Sequence, residues 1–310
     1  MKIDVIIPVY KPGKELLGLL DRLQVQTVPV QKIILMNTEE KYFEQLVYGQ
    51  RFSEKYPKVE VHHLSKREFD HGGTRRRGVK YSDGEIFIFL TQDAMPVDEY
   101  LVEKLTANLR GKVAAAYGRQ LAGKQSNELE KLSREFNYPP VSRIKSLEDL
   151  PELGIKTFFC SDVCAAYRRD IYEELGGFVK HTIFNEDMIY ASGAVRAGYQ
   201  ISYEAEAKVL HAHNYTNRQQ LHRNFDLGVS QAEHPEVFGD VKSESEGKKL
   251  LQAAWQHFKR KKQLYRFPGF LMQCCFKYAG YLLGKHYRLL PKKAVLALTD
   301  NREYWRQNKD

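Results

Sequence analysis

With 310 residues, 43% hydrophobic and 28% charged, the chain has ordinary globular composition and length for one large α/β domain or two modest ones, which excludes disorder, collagen-like repeats and a multi-span membrane architecture. The formal charge of +9 suggests nucleic acid until it is mapped: Trp255 to Thr299 holds ten Lys or Arg and no acidic residue, and removing those ten from the 48 leaves 38 basic against 39 acidic residues. A near-neutral body with a basic tail points to a phosphate-rich surface, membrane or polynucleotide, contacted by the tail alone.

The opening run Ile3 to Val9 is rich in β-branched residues and predicts a strand buried on both faces of a mostly parallel sheet. Lys14 to Gln26 follows as a leucine-rich helix, Lys32 to Met36 as a strand, Glu40 to Lys55 as a helix and Val59 to Leu64 as a third strand. Gly72 to Lys80 reads as a short helix, Glu85 to Leu90 as a fourth strand and Val97 to Leu109 as the next helix. This alternation implies a doubly wound half that binds its ligand beyond the carboxyl ends of its strands. No G-x-G-x-x-G follows the first strand and no Gly-Lys is followed by Ser or Thr, so the dinucleotide and P-loop readings lose their main support.

Leu121 to Ile155 is polar, carries Pro139, Pro140 and Pro151, and is expected as an insertion or lid-like connection. Thr157 to Tyr167 returns as a strand, Asp170 to Leu175 and Glu186 to Ala197 as helices, Gln200 to Leu210 as a strand, and Asn217 to Gln231 and Ser245 to Lys262 as helices. Cysteines 160, 164, 274 and 275 match neither a disulfide framework nor a zinc spacing, and the opening residues Met1 to Pro8 have neither the length nor the small-residue cleavage site expected of a signal peptide. A reducing, cytoplasmic setting is the expectation.

Four polar clusters fall at strand ends or helix starts. Asp93, two residues past the apolar run to Leu90, is either a ligand of a hard divalent cation or a cap of the helix near Val97. Glu186 and Asp187 open a helix, where acidic residues are favoured by the dipole and where a general base could also sit. His211 and His213 lie on one side of an extended segment, as hydrogen-bonded structure or as metal ligands beside a carboxylate. His71 to Gly78 combines a glycine turn with Arg75, Arg76 and Arg77, suited to phosphate or to a solvated basic face.

Taken in order, these segments resemble family 2 glycosyltransferases of the GT-A fold, most closely a bacterial rhamnosyltransferase-like branch. The matching residues are Val5-Ile6-Ile7-Pro8-Val9-Tyr10, Phe69-Asp70-His71-Gly72-Gly73-Thr74-Arg75, Thr91-Gln92-Asp93-Ala94, Ala165-Ala166-Tyr167-Arg168-Arg169 running to Gly176-Gly177-Phe178, Asn185-Glu186-Asp187, and His211-Ala212-His213-Asn214-Tyr215. The resemblance implies a mostly parallel twisted α/β sheet flanked by helices over residues 1–230, with a nucleotide-binding half (1–120), an acceptor half (121–230) and a basic helical C-terminal region (231–310). It implies a sugar-nucleotide donor contacted by Pro8, Val9, Tyr10, Glu39, His71, Arg75, Arg77, Gln92 and Asp93, with Ser161 and Asp162 as acceptor contacts. It implies Mn²⁺ or Mg²⁺ on Asp93 with His211 or His213, because Gln92-Asp93-Ala94 keeps one carboxylate of the family's Asp-x-Asp, and Asp187 as base with Glu186 as alternate. Met36-Asn37-Thr38-Glu39 replaces the family's usual aspartates at that strand end.

Phe267 to Gly284 carries apolar residues at helical spacing with Lys277 among them. It is expected to lie in a membrane interface, aided by Lys259-Arg260-Lys261-Lys262, or to pack on the domain or on a dimer partner. The leading expectation is an inverting transfer of a deoxysugar such as L-rhamnose from dTDP-rhamnose to a polysaccharide or lipid-linked glycan, at the inner face of the cell membrane, with no nucleic acid and with homo-oligomerisation left open. A nucleic-acid-binding protein and a non-catalytic glycan-assembly scaffold are the competing readings.

Overall fold

The computed structural model describes residues 1–211, 213–239 and 244–307; Ala212 of the histidine motif and parts of the C-terminal region lie outside that set. One sheet organises the chain. Its strands are β1 (Ile3–Tyr10), β2 (Lys32–Thr38), β3 (Val59–Leu64), β4 (Ile86–Leu90), β5 (Met95–Pro96), β6 (Val113–Leu121), β7 (Arg143–Lys145), β8 (Cys164–Arg168) and β9 (Gln200–Leu210). Their order is β3-β2-β1-β4-β8-β6-β9-β5, with β7 also on β9. The pairings leave six strands, β1 to β4, β6 and β9, running in one direction and three against it. This is the mostly parallel α/β sheet expected, with helices on both faces and a helical C-terminal extension.

Side-chain alternation along β1 builds two cores at once. Val5, Ile7 and Val9 join Leu16, Leu19, Leu20 and Leu23 of the helix Lys14–Gln24 on one face. Ile6 points the other way, toward Val79, Ile171 and Tyr190. Burial on both faces is why β1, β2 and β4 read as continuous apolar runs.

Several boundaries move. The helix expected over 40–55 is two, Glu40–Val47 and Phe52–Lys55, separated at Gly49, which takes φ +71°. The helix expected from Val97 is the shorter Leu101–Thr106, because Met95–Pro96 first pairs with β9. The strand expected from Thr157 begins only at Cys164, since Gly154–Phe158 forms a tight helical turn. Residues 121–155 are more ordered than a lid: they hold the helix Glu128–Asn137 and contribute β7 to the sheet. β6 itself was not expected, because Val113-Ala114-Ala115-Ala116 offers one β-branched residue and favours helix by propensity. Its alanines are fully buried between β8 and β9, where larger side chains would not fit.

The helix Phe267–Lys285 packs lengthwise on the helix Asn217–Glu233. A Cβ at Gly280 would overlap the carbonyl oxygen of Leu221, and one at Gly284 that of Phe225, so the two backbones touch. The opposite side of Phe267–Lys285 leaves Leu271, Met272 and Tyr278 exposed. Of the two placements expected for this segment, packing on the domain occupies one face and leaves the other apolar face open. Among the described residues no helix is long and apolar enough to cross a membrane.

Candidate active site

A cavity of about 480 Å³ opens beside the carboxyl ends of β4 and β9 and is lined by His71, Arg75, Asp93, Ser161, Asp162, Glu186, Asp187, His211 and His213. Residues up to 142 positions apart in the chain thus share one space. The cavity has two chemically different ends.

At the first end, Asp93 faces both imidazoles. Its Oδ2 lies 3.1 Å from His213 Nε2 and its Oδ1 3.5 Å from His211 Nε2, and the two Nε2 atoms are 3.1 Å apart. Asp93 caps no helix: Leu101–Thr106 starts eight residues later, behind Tyr100. Burial alone would raise the Asp93 carboxyl, but the His213 hydrogen bond and the neighbouring His211 hold it well below the usual carboxylate range. Burial pushes His211 down to about 3, so its ring is neutral. Its Nδ1 sits 3.1 Å from Gln120 Oε1; that oxygen also accepts from the Arg134 guanidinium, while Gln120 Nε2 donates to Ser161 Oγ at 2.9 Å. An amide oriented in this way accepts Nδ1–H and leaves the Nε2 lone pair toward Asp93. An ionised carboxylate and two imidazoles, all within 4.8 Å of one another, fit a divalent cation.

At the second end, carboxylates surround one guanidinium. Arg75 is buried, with Nε 3.0 Å from Asp162 Oδ2 and Nη1 3.0 Å from Glu186 Oε1. Its position follows from the cap of its helix: Asp70 accepts from Gly73 N at 2.8 Å and starts His71–Tyr81, which turns residue 75 inward. Asn185, at φ +65°, makes the left-handed step that Asn tolerates and delivers Glu186 and Asp187 to the cavity. The Asp187 carboxylate accepts from Met188 N at 2.7 Å and from Asp162 N at 3.1 Å. Burial and the negative charge of Glu186 nevertheless raise it to about 7. Glu186 is lowered despite its burial, because Arg75 and His71 stabilise its charge.

The remaining expected contacts divide. Asp162 lines the cavity, but its carboxyl is occupied by Arg75 and by the Tyr167 hydroxyl at 2.6 Å. Tyr10 lines an adjoining cavity of about 230 Å³ with Thr38, Phe69 and His71. Gln92 is spent on a two-way clamp, its amide exchanging 3.0 Å hydrogen bonds with the backbone N–H and C=O of Tyr10. Pro8 and Val9 lie in β1 beneath that clamp and line neither cavity. Glu39 accepts from Lys66 N at 2.7 Å outside both cavities. Arg77 does not join the site: two residues beyond Arg75 it points across the helix, pairing with Glu68 at 3.3 Å, as a 100° turn per residue requires. Sequence reasoning passed over Gln120, Arg134, Arg223 and Lys277, all of which line the large cavity. For the first three nothing in local spacing marks them; Lys277 carried a signal as the single charge in the apolar run from Phe267 to Gly284.

Residues 4–176 match the family model of glycosyl transferase family 2. The chain is 37% identical over 308 residues to the O-antigen chain rhamnosyltransferase RfbN of Salmonella typhimurium, covering 98% of this chain and 96% of that protein. It is 41% identical over 245 residues to the O-antigen chain rhamnosyltransferase WbaN of Salmonella anatum, 78% of each chain. In fold it is similar to a mannosyltransferase from Pyrobaculum calidifontis, at TM-score 0.54 and 17% identity over 98% of this chain and 84% of that one. It is likewise similar to residues 1–349 of TarS from S. aureus, at TM-score 0.53 and 15% identity over 100% and 92% of the two chains.

Proposed function

The chain belongs to glycosyl transferase family 2, and on that premise we propose that it is a metal-dependent, inverting rhamnosyltransferase that moves the sugar of dTDP-rhamnose to a hydroxyl of a polysaccharide or lipid-linked glycan. Family membership supports a sugar nucleotide as donor and a glycan as acceptor; the names of the two Salmonella relatives support rhamnose. The observation that carries the mechanism is the placement in one cavity of an ionised Asp93 with two imidazoles and of Asp187 raised to about 7.

Asp187 takes the proton of the acceptor hydroxyl as that oxygen attacks the anomeric carbon. A base with a pKa near the working pH suits this task. The nucleoside diphosphate departs from the opposite face, so a single displacement inverts the centre and no protein nucleophile is needed. Arg75 holds Glu186 ionised and in place, which keeps negative charge beside Asp187. A divalent cation bound by Asp93, His211 and His213 would neutralise charge on the departing diphosphate. Two nitrogen donors suit Mn²⁺ better than Mg²⁺, and the Pyrobaculum fold relative is described in complex with GDP-Man and Mn²⁺.

For location we propose the inner face of the cell membrane. Exposed Leu264, Tyr265, Leu271, Met272 and Tyr278 stand near the basic run Lys259 to Lys262, a pairing of apolar and cationic surface that suits an anionic lipid interface.

Titration calorimetry with dTDP-rhamnose, UDP-GlcNAc and GDP-mannose in the presence of Mn²⁺ tests the reading. We expect dTDP-rhamnose to bind at least about tenfold more tightly than the others, a difference of about 1.4 kcal/mol, and chelation to abolish transfer. A preference for another donor would replace rhamnose; binding of no sugar nucleotide would overturn the assignment.

A further inference from the structure

The positive charges around the large cavity are not all balanced by carboxylates. Arg75 has Asp162 and Glu186, and Arg134 has Glu130 at 2.8 Å. Arg223 and Lys277 line the same cavity, and among the described residues neither stands in an ion pair. Arg223 is held against aromatic faces, its guanidinium 4.8 Å from the Phe184 ring and 5.7 Å from that of Tyr215. Lys277 is half-buried; burial lowers its pKa, Cys274 and Glu130 oppose that, and Arg134 and Arg223 add repulsion. Crowding a desolvated ammonium against other cations costs free energy unless an anion enters. Arg134 donates to the same Gln120 oxygen that faces His211 Nδ1, and the Tyr215 ring beside Arg223 lies 5.0 Å from that of His213, which brings the cations to the Asp93 end of the cavity.

The two side chains come from different helices, Asn217–Glu233 and Phe267–Lys285, whose backbones touch at Gly228, Gly280 and Gly284. That contact allows almost no sliding, so the spacing of Arg223 and Lys277 is set before any ligand arrives. Both helices lie beyond residue 176, where the family match ends.

We infer that Arg223 and Lys277 form a two-cation clamp that binds a diphosphate, with the C-terminal helix supplying one jaw. The inference rests on the glycosyltransferase reading and deepens it. Two sources offer this chemistry: the nucleoside diphosphate of the donor and the diphosphate of a lipid-linked acceptor. Lys277 and Arg223 bind the diphosphate directly; neither exchanges a proton or a bond.

The test is calorimetric binding of dTDP and, separately, of farnesyl diphosphate to the full chain at fixed Mn²⁺. Lys277→Met and Arg223→Met are expected to weaken at least one probe about 10- to 100-fold, the scale of a charge-assisted contact, with unchanged melting temperature. Lys277→Arg is expected to stay within about threefold of the parent, since it keeps the charge. Lys292→Met, the same charge change at an exposed position outside the cavity, controls for a general loss of positive field and is expected to bind normally. Loss confined to dTDP assigns the clamp to the donor, loss confined to farnesyl diphosphate to the acceptor, and either supports it. Unaltered affinity for both probes in folded Lys277→Met and Arg223→Met overturns it while leaving the glycosyltransferase reading standing. A parent chain that binds neither probe overturns both the clamp and dTDP-rhamnose as the donor.

Discussion

Asp93 and Asp187 stand in one cavity with the same side chain and opposite proton affinities. Asp93 has imidazole on both oxygens and remains ionised; Asp187 has two backbone N–H donors and the Arg75 charge to set against burial and Glu186, and is raised to about 7. Two titratable groups driven apart by their surroundings take different tasks. The ionised member suits a cation, and the raised member can receive a proton.

The largest expected effect strikes the proton acceptor. Asp187→Asn should lower transfer by about 10²- to 10⁴-fold with Mn²⁺ affinity intact, whereas Asp93→Asn should abolish measurable Mn²⁺ binding; equal metal affinity in the two variants would erase the contrast. Stability should respond as well. A carboxyl raised above its ordinary 3.8 favours the folded state at low pH and loses that contribution as pH rises through about 7, so the parent chain should lose stability between about pH 4 and 7; Asp187→Asn should remove its share of that loss and leave the share of Asp226, which burial also raises to about 7.

A smaller effect concerns the pH profile of kcat/KM. It should fall about tenfold per unit below about 7, where Asp187 is protonated, and level off above. Glu186→Gln removes a charge that raises Asp187, so the limb should move to lower pH; a shift upward would mean that Glu186 acts mainly through Arg75. The smallest effect lies outside the ligand set. Gln120→Met deletes the acceptor that fixes the His211 tautomer and should weaken Mn²⁺ binding about 10-fold, measured by metal titration, with the Asp187 limb unmoved.

The portions legible in the sequence are those where burial leaves a periodic mark. β1, β2 and β4 are apolar on both faces and stood out; β6 did not, because its place between β8 and β9 selects alanine for size, and small residues carry no strand signature. Asp93, Asp187, His211 and His213 were readable singly as polar residues at strand ends or a helix start. Their convergence was not, since it depends on β9 returning beside β6 and on the left-handed step at Asn185. Arg75 and Arg77 were indistinguishable in a run of three arginines until the Asp70 cap set the helix phase. The tail helix was open between two placements because an apolar surface on both sides serves either, and the glycines that decide its packing are spaced to meet another helix, not to show a pattern alone.

The backbone contact at Gly280 and Gly284 has a consequence for anyone recombining this chain with its relatives. A tail that carries side chains at the positions of Gly280 and Gly284 could not seat on this chain's helix Asn217–Glu233, because the seam admits none. A crossover between residues 233 and 267 should therefore assemble only where the incoming tail keeps those glycines, and otherwise the two helices must be exchanged as one cassette.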